Sequence, residues 1–356
     1  MTPTVVHLAS GREWRGGQRQ VWLLARELHE MGVPQKVITG RGSELARRLT
    51  AAGVPLRAVG WRIGLDPRVL PAVLRELRPT GSLLHAHDAH ALSLGGLGAA
   101  LAGRDLIVTR RTIFPLRHPG FWKRARYVIA VSEAAARSLA GHGLPPERIS
   151  VIHSATDLDP DQRPQPLGMR ARLGLAPSTL LAVSVAALTA EKDQATLIRA
   201  AHALRDRLPD LHWVVAGEGD QRPALTAQAR GLGVGDRVHL PGHLDDPARL
   251  IAEASVFVMS SQQEGLGTSV LDALALGIPV ASTTAGGLPE LLAGGSGILV
   301  PPGDPAALAE AVRRILTDPE AARALADRGR STARRLTPRR MAEQVRSVYR
   351  SCGPFP

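Results

Sequence analysis

The chain predicts an α/β protein built from two doubly wound, Rossmann-like domains. Short apolar runs alternate with helix-length amphipathic segments throughout, which is the pattern of parallel sheets flanked by helices. At residues 159–166 the sequence DPDQRPQP holds three prolines and no apolar residue, and behind it the alternation starts again. At 356 residues the chain is long enough to bury two cores of ordinary size.

Thr4-Val5-Val6-His7-Leu8 reads as the first strand and residues 11–17 as a glycine-rich loop. An amphipathic helix follows over 18–31, with Val21, Leu24, Ala25 and Leu28 at helical spacing. Further strands are expected at 83–85, 106–109 and 127–131. The second half offers strands at 180–185, 211–216, 238–240, 256–259 and 280–281, each separated from the next by a helix-length segment. A last helix over 338–349 has no strand behind it and is expected to pack across both halves. These readings place a first domain at 1–158, a linker at 159–167, a second domain at 168–337 and a C-terminal helical segment at 338–356. Ligands are expected at the strand ends, in a cleft between the domains.

Composition narrows the class. With 44% hydrophobic and 21% charged residues, the chain has neither a disordered nor a fibrous composition. Its single cysteine, Cys352, cannot build a disulfide framework or a cysteine zinc cluster, which fits a reducing cytosol. The N-terminal residues lack the charged and apolar regions of a signal peptide, and no apolar run approaches the roughly 18 residues that cross a bilayer. The expected location is therefore cytoplasmic. Residues 1–158 carry 22 Lys and Arg against 11 Asp and Glu, whereas residues 159–356 carry 22 against 21. That excess in the first half points to an anionic partner, and it leaves open peripheral attachment to the inner face of a membrane. Nucleic acid is not expected, because aromatic residues make up only 3% and no base-reading motif occurs.

Several motifs are absent. The dinucleotide fingerprint fails at Gly217-Glu218-Gly219 because position 222 is arginine, and no phosphate-loop or H-E-x-x-H sequence is present. The strongest positive signal is SSQQEGLGTSVLDALALG at 260–277, directly after an expected strand. Glycines here allow close backbone approach, and the free N–H groups of Gly267, Thr268 and Ser269 at a helix start suit a diphosphate. Glu264 and Asp272, eight residues apart, could reach different hydroxyls of one ligand. The plainer alternative is a capped strand-to-helix junction in which Glu264 only complements the helix dipole.

This segment resembles the E-x7-E signature of retaining glycosyltransferases of the GT-B fold, in particular family 4, the group 1 glycosyltransferases. Other pieces agree in order. Residues 180–200, with Ala187-Leu188-Thr189-Ala190-Glu191-Lys192-Asp193, resemble the family's phosphate-binding loop, and Trp213 through Gly217-Glu218-Gly219 resembles its W-x-x-x-G-x-G strand end. Ala285-Gly286-Gly287-Leu288-Pro289-Glu290 resembles the next helix start. Gly16-Gly17, Ala130-Val131-Ser132-Glu133 and Val151-Ile152-His153-Ser154 match the first domain.

The resemblance implies transfer of a sugar, with retention, from a nucleotide-diphosphate sugar to a glycan or lipid-linked acceptor. It implies no cofactor and no metal ion. Lys192 and Glu264 would be catalytic, Lys192 on the leaving diphosphate and Glu264 on the donor sugar. Gly16, Gly17, Glu218, Gly219, Leu244, Gly265, Leu266, Gly267, Thr268 and Asp272 would bind the donor, with the base near Gly242-His243-Leu244.

Three departures stand out: aspartate rather than glutamate at 272, Ala187 where the family commonly has arginine, and Thr109-Arg110-Arg111-Thr112 where it often has threonine and histidine. Arg110, Arg111 and His87 are expected on the acceptor side. His85 and His87 share a strand face, while His90 does not obviously join them, so no metal site is expected. The rival reading is a catalytically weakened nucleotide-sugar-binding or partner protein, with an epimerase or phosphorylase as smaller alternatives.

Overall fold

Strands form where apolar runs can be buried on both faces, as Leu180–Val185 and Val256–Met259 are. The computed structural model describes residues 3–61, 65–116 and 119–353, and it divides into two units. One joins Met1–Asp157 to Leu336–Pro356, and the other is Leu158–Arg335.

The first unit holds β1 (Val5–Ala9), β2 (Gln35–Gly40), β3 (Leu56–Val59), β4 (Leu83–Ala86), β5 (Leu106–Arg110), β6 (Tyr127–Ala130) and β7 (Ile149–Val151). Their order is β3-β2-β1-β4-β5-β6-β7, all parallel. The second holds β8 (Leu180–Val185), β9 (Leu211–Ala216), β10 (Val238–Gly242), β11 (Val256–Met259), β12 (Val280–Thr283) and β13 (Ile298–Val300), in the parallel order β10-β9-β8-β11-β12-β13. Both sheets are doubly wound. The order of connection reverses between β1 and β4 in one and between β8 and β11 in the other, and the loops after those strands open the crevice where such sheets bind ligands.

Residues 158–335 form one unit, so the proline-rich segment belongs to it. The main-chain N–H of Leu167 donates to the carbonyl of Arg249, and the Arg249 guanidinium donates back to the Gln165 carbonyl at 3.0 Å.

The glycine pair is not loop. Gly16 and Gly17 form the first turn of a helix that runs from Gly16 to Glu30, whose N-terminal flank Arg15 supplies no side-chain cap. The last helix, Pro338–Arg350, returns to the first unit. Its Met341, Val345, Val348 and Tyr349, at helical spacing, are buried with Leu24, Leu28, Ile107 and Ile129.

A polar layer interrupts that apolar face at the carboxyl ends of the strands. His7 and His85 are register partners on β1 and β4, and His87 follows two residues on, so their rings lie together. The Tyr349 hydroxyl sits 2.6 Å from His85 Nδ1, Thr109 Oγ1 sits 2.7 Å from His85 Nε2, and His7 Nδ1 is 2.9 Å from His87 Nε2. Burial drives all three imidazoles toward the neutral form, lowering His7 to about 3 and the other two well below the ordinary value.

Two outcomes follow from this layer. Tyr349→Phe leaves His85 Nδ1 buried without its partner and is expected to cost about 1–3 kcal/mol, read from the urea midpoint; an unchanged midpoint removes the hydroxyl from the stability argument. Because the folded pKa values lie below the unfolded ones, stability is complete above about pH 6.5 and falls as the pH drops toward 3. The slope is at most about 1.4 kcal/mol per pH unit for each histidine. Urea titrations at pH 7 and pH 5 check this, with a lower midpoint expected at pH 5.

Candidate active site

In the second unit the loops that leave β8 and β11 are laced together at its switch point. The β8 loop ends in a short turn, Ala190–Lys192, and then in Asp193, the one non-glycine residue with a left-handed backbone among those described (φ 46°). The Asp193 carboxylate caps the next helix by accepting from the Thr196 N–H at 3.2 Å and its hydroxyl at 2.7 Å. It also accepts from Gln262 Nε2 of the β11 loop at 2.9 Å. The Ser260 hydroxyl donates to the Lys192 carbonyl at 3.0 Å, and the Gln262 N–H to the Glu191 carbonyl at 2.9 Å. Two segments some seventy residues apart are thereby held as one surface.

On that surface Lys192 Nζ lies 2.6 Å from Glu264 Oε2, with side-chain exposures of 19% and 13%. The other carboxylate oxygen accepts from the Gly265 N–H at 3.1 Å. A charge-assisted pair this short, shielded but reachable from solvent, is stronger than an exposed surface pair. A third loop fixes it from behind. Gly286 has φ 55°, and a Cβ there would stand 1.7 Å from the Glu264 carbonyl oxygen, so no side chain fits at 286 while Glu264 keeps its place.

Gly265, Leu266 and Gly267 are buried and lead into the helix Thr268–Ala275. Gly267 has φ 96°, and no side chain caps this helix start. The first-turn amides beyond Thr268 therefore present a dipole end beside the Lys192–Glu264 pair. Asp272 lies further along the same helix with only 4% of its surface exposed, much less open than Glu264.

The β9 end presses on the β8 loop. A Cβ at Gly217 would meet the Ala186 carbonyl oxygen at 1.9 Å, and one at Gly219 the Leu188 carbonyl oxygen at 2.1 Å. These glycines serve close backbone packing, and Ala187 is embedded in that packing. Glu218 points outward, 3.3 Å from Arg222, and Gly242 packs under its carboxylate; Leu244 follows half-buried two residues on.

In the first unit Gly17, His87 and Arg111 meet at the β1/β4 switch point. A Cβ at Gly17 would touch Arg111 Cδ at 3.6 Å, and Arg111 Nη2 lies 3.5 Å from His87 Nδ1. A guanidinium only donates, so His87 Nδ1 accepts and its proton sits on Nε2, directed at His7. His87 therefore has both ring nitrogens engaged. Burial lowers the Arg111 pKa to about 10, with Asp88 opposing the shift, so it stays charged at neutral pH.

Arg110 does not join this group. It donates to the Phe114 carbonyl and lies over the Trp122 ring at 5.2 Å, because successive residues at a strand end point to opposite faces. His90 is exposed at the start of the following helix, and the third imidazole beside His85 and His87 is His7, which the histidine spacing alone did not suggest. Ligand atoms of these three lie within 4.8 Å of one another, but hydrogen bonds take five of the six ring nitrogens.

Comparisons with known proteins agree with this geometry. Residues 14–160 match the family described as Glycosyltransferase Family 4, and residues 169–332 match Glycosyl transferases group 1. The chain is 30% identical to D-inositol 3-phosphate glycosyltransferase 1 of Catenulispora acidiphila over 372 residues, covering 92% of this chain and 88% of that protein. It is 28% identical to the lipopolysaccharide core biosynthesis glycosyltransferase LpsE of Rhizobium meliloti, covering 92% and 93%. The solved structure of Anabaena HepE in complex with UDP-glucose superposes with a TM-score of 0.86 at 22% identity, covering 98% of this chain and 99% of that one. Family matches to both halves and near full-length similarity to a curated relative lead to one conclusion: this chain is a GT-B-fold glycosyltransferase of the group 1 family, family 4.

Proposed function

We propose that the protein transfers a sugar, with retention of configuration, from a nucleoside-diphosphate sugar to an anionic or lipid-linked glycan acceptor. The observation that carries this reading is the Lys192–Glu264 pair at 2.6 Å beside the open start of the Thr268–Ala275 helix. Without a ligand the ammonium and the carboxylate satisfy each other. When a donor enters, its diphosphate takes Lys192 and the first-turn amides, and Glu264 is released to accept hydrogen bonds from sugar hydroxyls. As the bond from the anomeric carbon to the diphosphate oxygen breaks, Lys192 neutralises the charge gathering on the leaving group. The acceptor hydroxyl attacks from the same face, and its proton passes to the departing phosphate oxygen. In this scheme the lysine and the amides supply the electrophilic assistance, and no metal ion is called for.

Glu218, Gly219 and Leu244 would border the nucleoside, and Asp272 would serve its ribose from a more enclosed position. Gly16 and Gly17 would offer the uncapped amides of their own helix start to a phosphate group. Arg111 supports an anionic acceptor: it lies over Gly17 and beside His87, and its Nε, like that of Arg110, is buried with no acceptor among the described residues. The basic first half would favour an anionic membrane surface, with the protein acting at the cytoplasmic face. No helix among the described residues is long and apolar enough to cross a membrane.

A binding protein with weakened catalysis is the second reading, favoured by Asp272 and Ala187. Release of nucleoside diphosphate from a panel of UDP-, GDP- and ADP-sugars separates the two. Lys192→Ala and Glu264→Gln are each expected to lower kcat by roughly 10²–10³-fold, and turnover that ignores both substitutions would sink the transferase assignment of these residues. Gly286→Ala should also abolish most turnover by displacing Glu264, with folding checked by circular dichroism. Arg111→Ala is expected to raise KM for an anionic acceptor while Arg110→Ala leaves it near wild type; equal effects of the two would mean that Arg111 has no special place at the acceptor.

A further inference from the structure

The first unit has a polar hollow at the amino end of its sheet. It lies among the N-terminal ends of β1, β2 and β3, with a volume of about 800 Å³, within the few hundred to roughly 1,000 Å³ typical of small-molecule sites. Pro34, Pro55 and Pro79 give it stiff apolar walls. Its polar side carries Lys36, Arg57, Arg75 and Arg78 against one carboxylate, Glu76, with His29 at the rim.

That carboxylate is fully committed. Lys36 Nζ lies 3.0 Å from one of its oxygens and Arg57 Nε 2.5 Å from the other. Among the described residues neither Arg75 nor Arg78 has a carboxylate partner, and both are exposed. Two helices, Gly16–Glu30 and Val69–Glu76, end at this hollow, and their carbonyl ends oppose the cations. Each is equivalent to roughly half a negative charge, so the pair offsets about one of the excess positive charges and leaves about two. Capping the helix ends therefore does not use up the arginines.

We infer that this hollow is a second ligand site, separate from the transfer site, for a soluble organic phosphate carrying two or more negative charges. Arginine forks match phosphate oxygens in pairs, and the proline walls suit a compact carbon skeleton. Donor, diphosphate and acceptor contacts are all proposed at the carboxyl ends of the strands, so none of them accounts for cations gathered at the amino ends. The helix Gly16–Glu30 spans the unit between the two places, with the glycine pair at one end and His29 at the other.

Isothermal titration of the full chain with inorganic pyrophosphate and with ribose 5-phosphate tests the inference. In a Lys192→Ala background, which disables the donor site, binding of one equivalent of either probe should persist and weaken with salt. Adding Arg75→Ala and Arg78→Ala should weaken it about tenfold or more, while the lysine pair at the same positions recovers part of the loss. Because both arginines are exposed, circular dichroism should show an unchanged fold. In an otherwise wild-type chain the arginine pair should leave basal transfer unaltered. Affinity for both probes that is indifferent to the arginine pair overturns the inference. So does retention on phosphatidylglycerol vesicles through those arginines without binding of either soluble probe.

Discussion

The site depends on holding one ammonium and one carboxylate, 72 residues apart in sequence, at contact distance without letting either become a permanent structural pair. Lys192 and Glu264 meet at 2.6 Å while both remain partly open to solvent. Full burial would impose a desolvation penalty on each ion, and full exposure would let salt and side-chain entropy dissolve the pair. The intermediate position leaves the pair able to exchange partners.

Close backbone approach is the means. Asp193 accepts a left-handed backbone so that one carboxylate can tie the β8 loop, the following helix and Gln262 of the β11 loop. Strain of this kind costs about 1–3 kcal/mol and persists only where the surroundings over-determine it. Gly286 and Gly217, on two further loops, leave open the space into which the Glu264 and Ala186 carbonyls press and which any Cβ would fill. Side-chain hydrogen bonds and close main-chain contacts hold the loops around the pair, which suits a surface that must stay open to a polar ligand.

Much of this was legible in the sequence because the signals are local. The alternation of strands and helices is set by residues within a few positions of one another, and the loop with Glu264 announces itself by glycines just ahead of a helix. Strands β3, β7 and β13 escaped because three or four residues carry little pattern, and β2 because Gln35, Lys36 and Thr39 interrupt its apolar run. Gly16 and Gly17 looked like loop because glycine is a poor helix former, yet the amphipathic helix behind them carries through. The separation of Arg110 from Arg111 could have been read from strand alternation alone. His7 beside His87, or Gln262 on Asp193, could not, because sheet order decides which distant loops become neighbours.

The first unit is interrupted: residues 158–335 intervene between its main body and its last helix. During synthesis the apolar face formed by Leu24, Leu28 and Ile129 must wait for Met341, Val345 and Tyr349. At roughly 5–20 residues per second, the 178 intervening residues delay that cover by about 10–35 s. The inserted unit is contiguous and can close its own core as it leaves the ribosome. The part of the protein made first is thus the part completed last, and its exposed nonpolar face during that interval is where chaperones would engage the nascent chain.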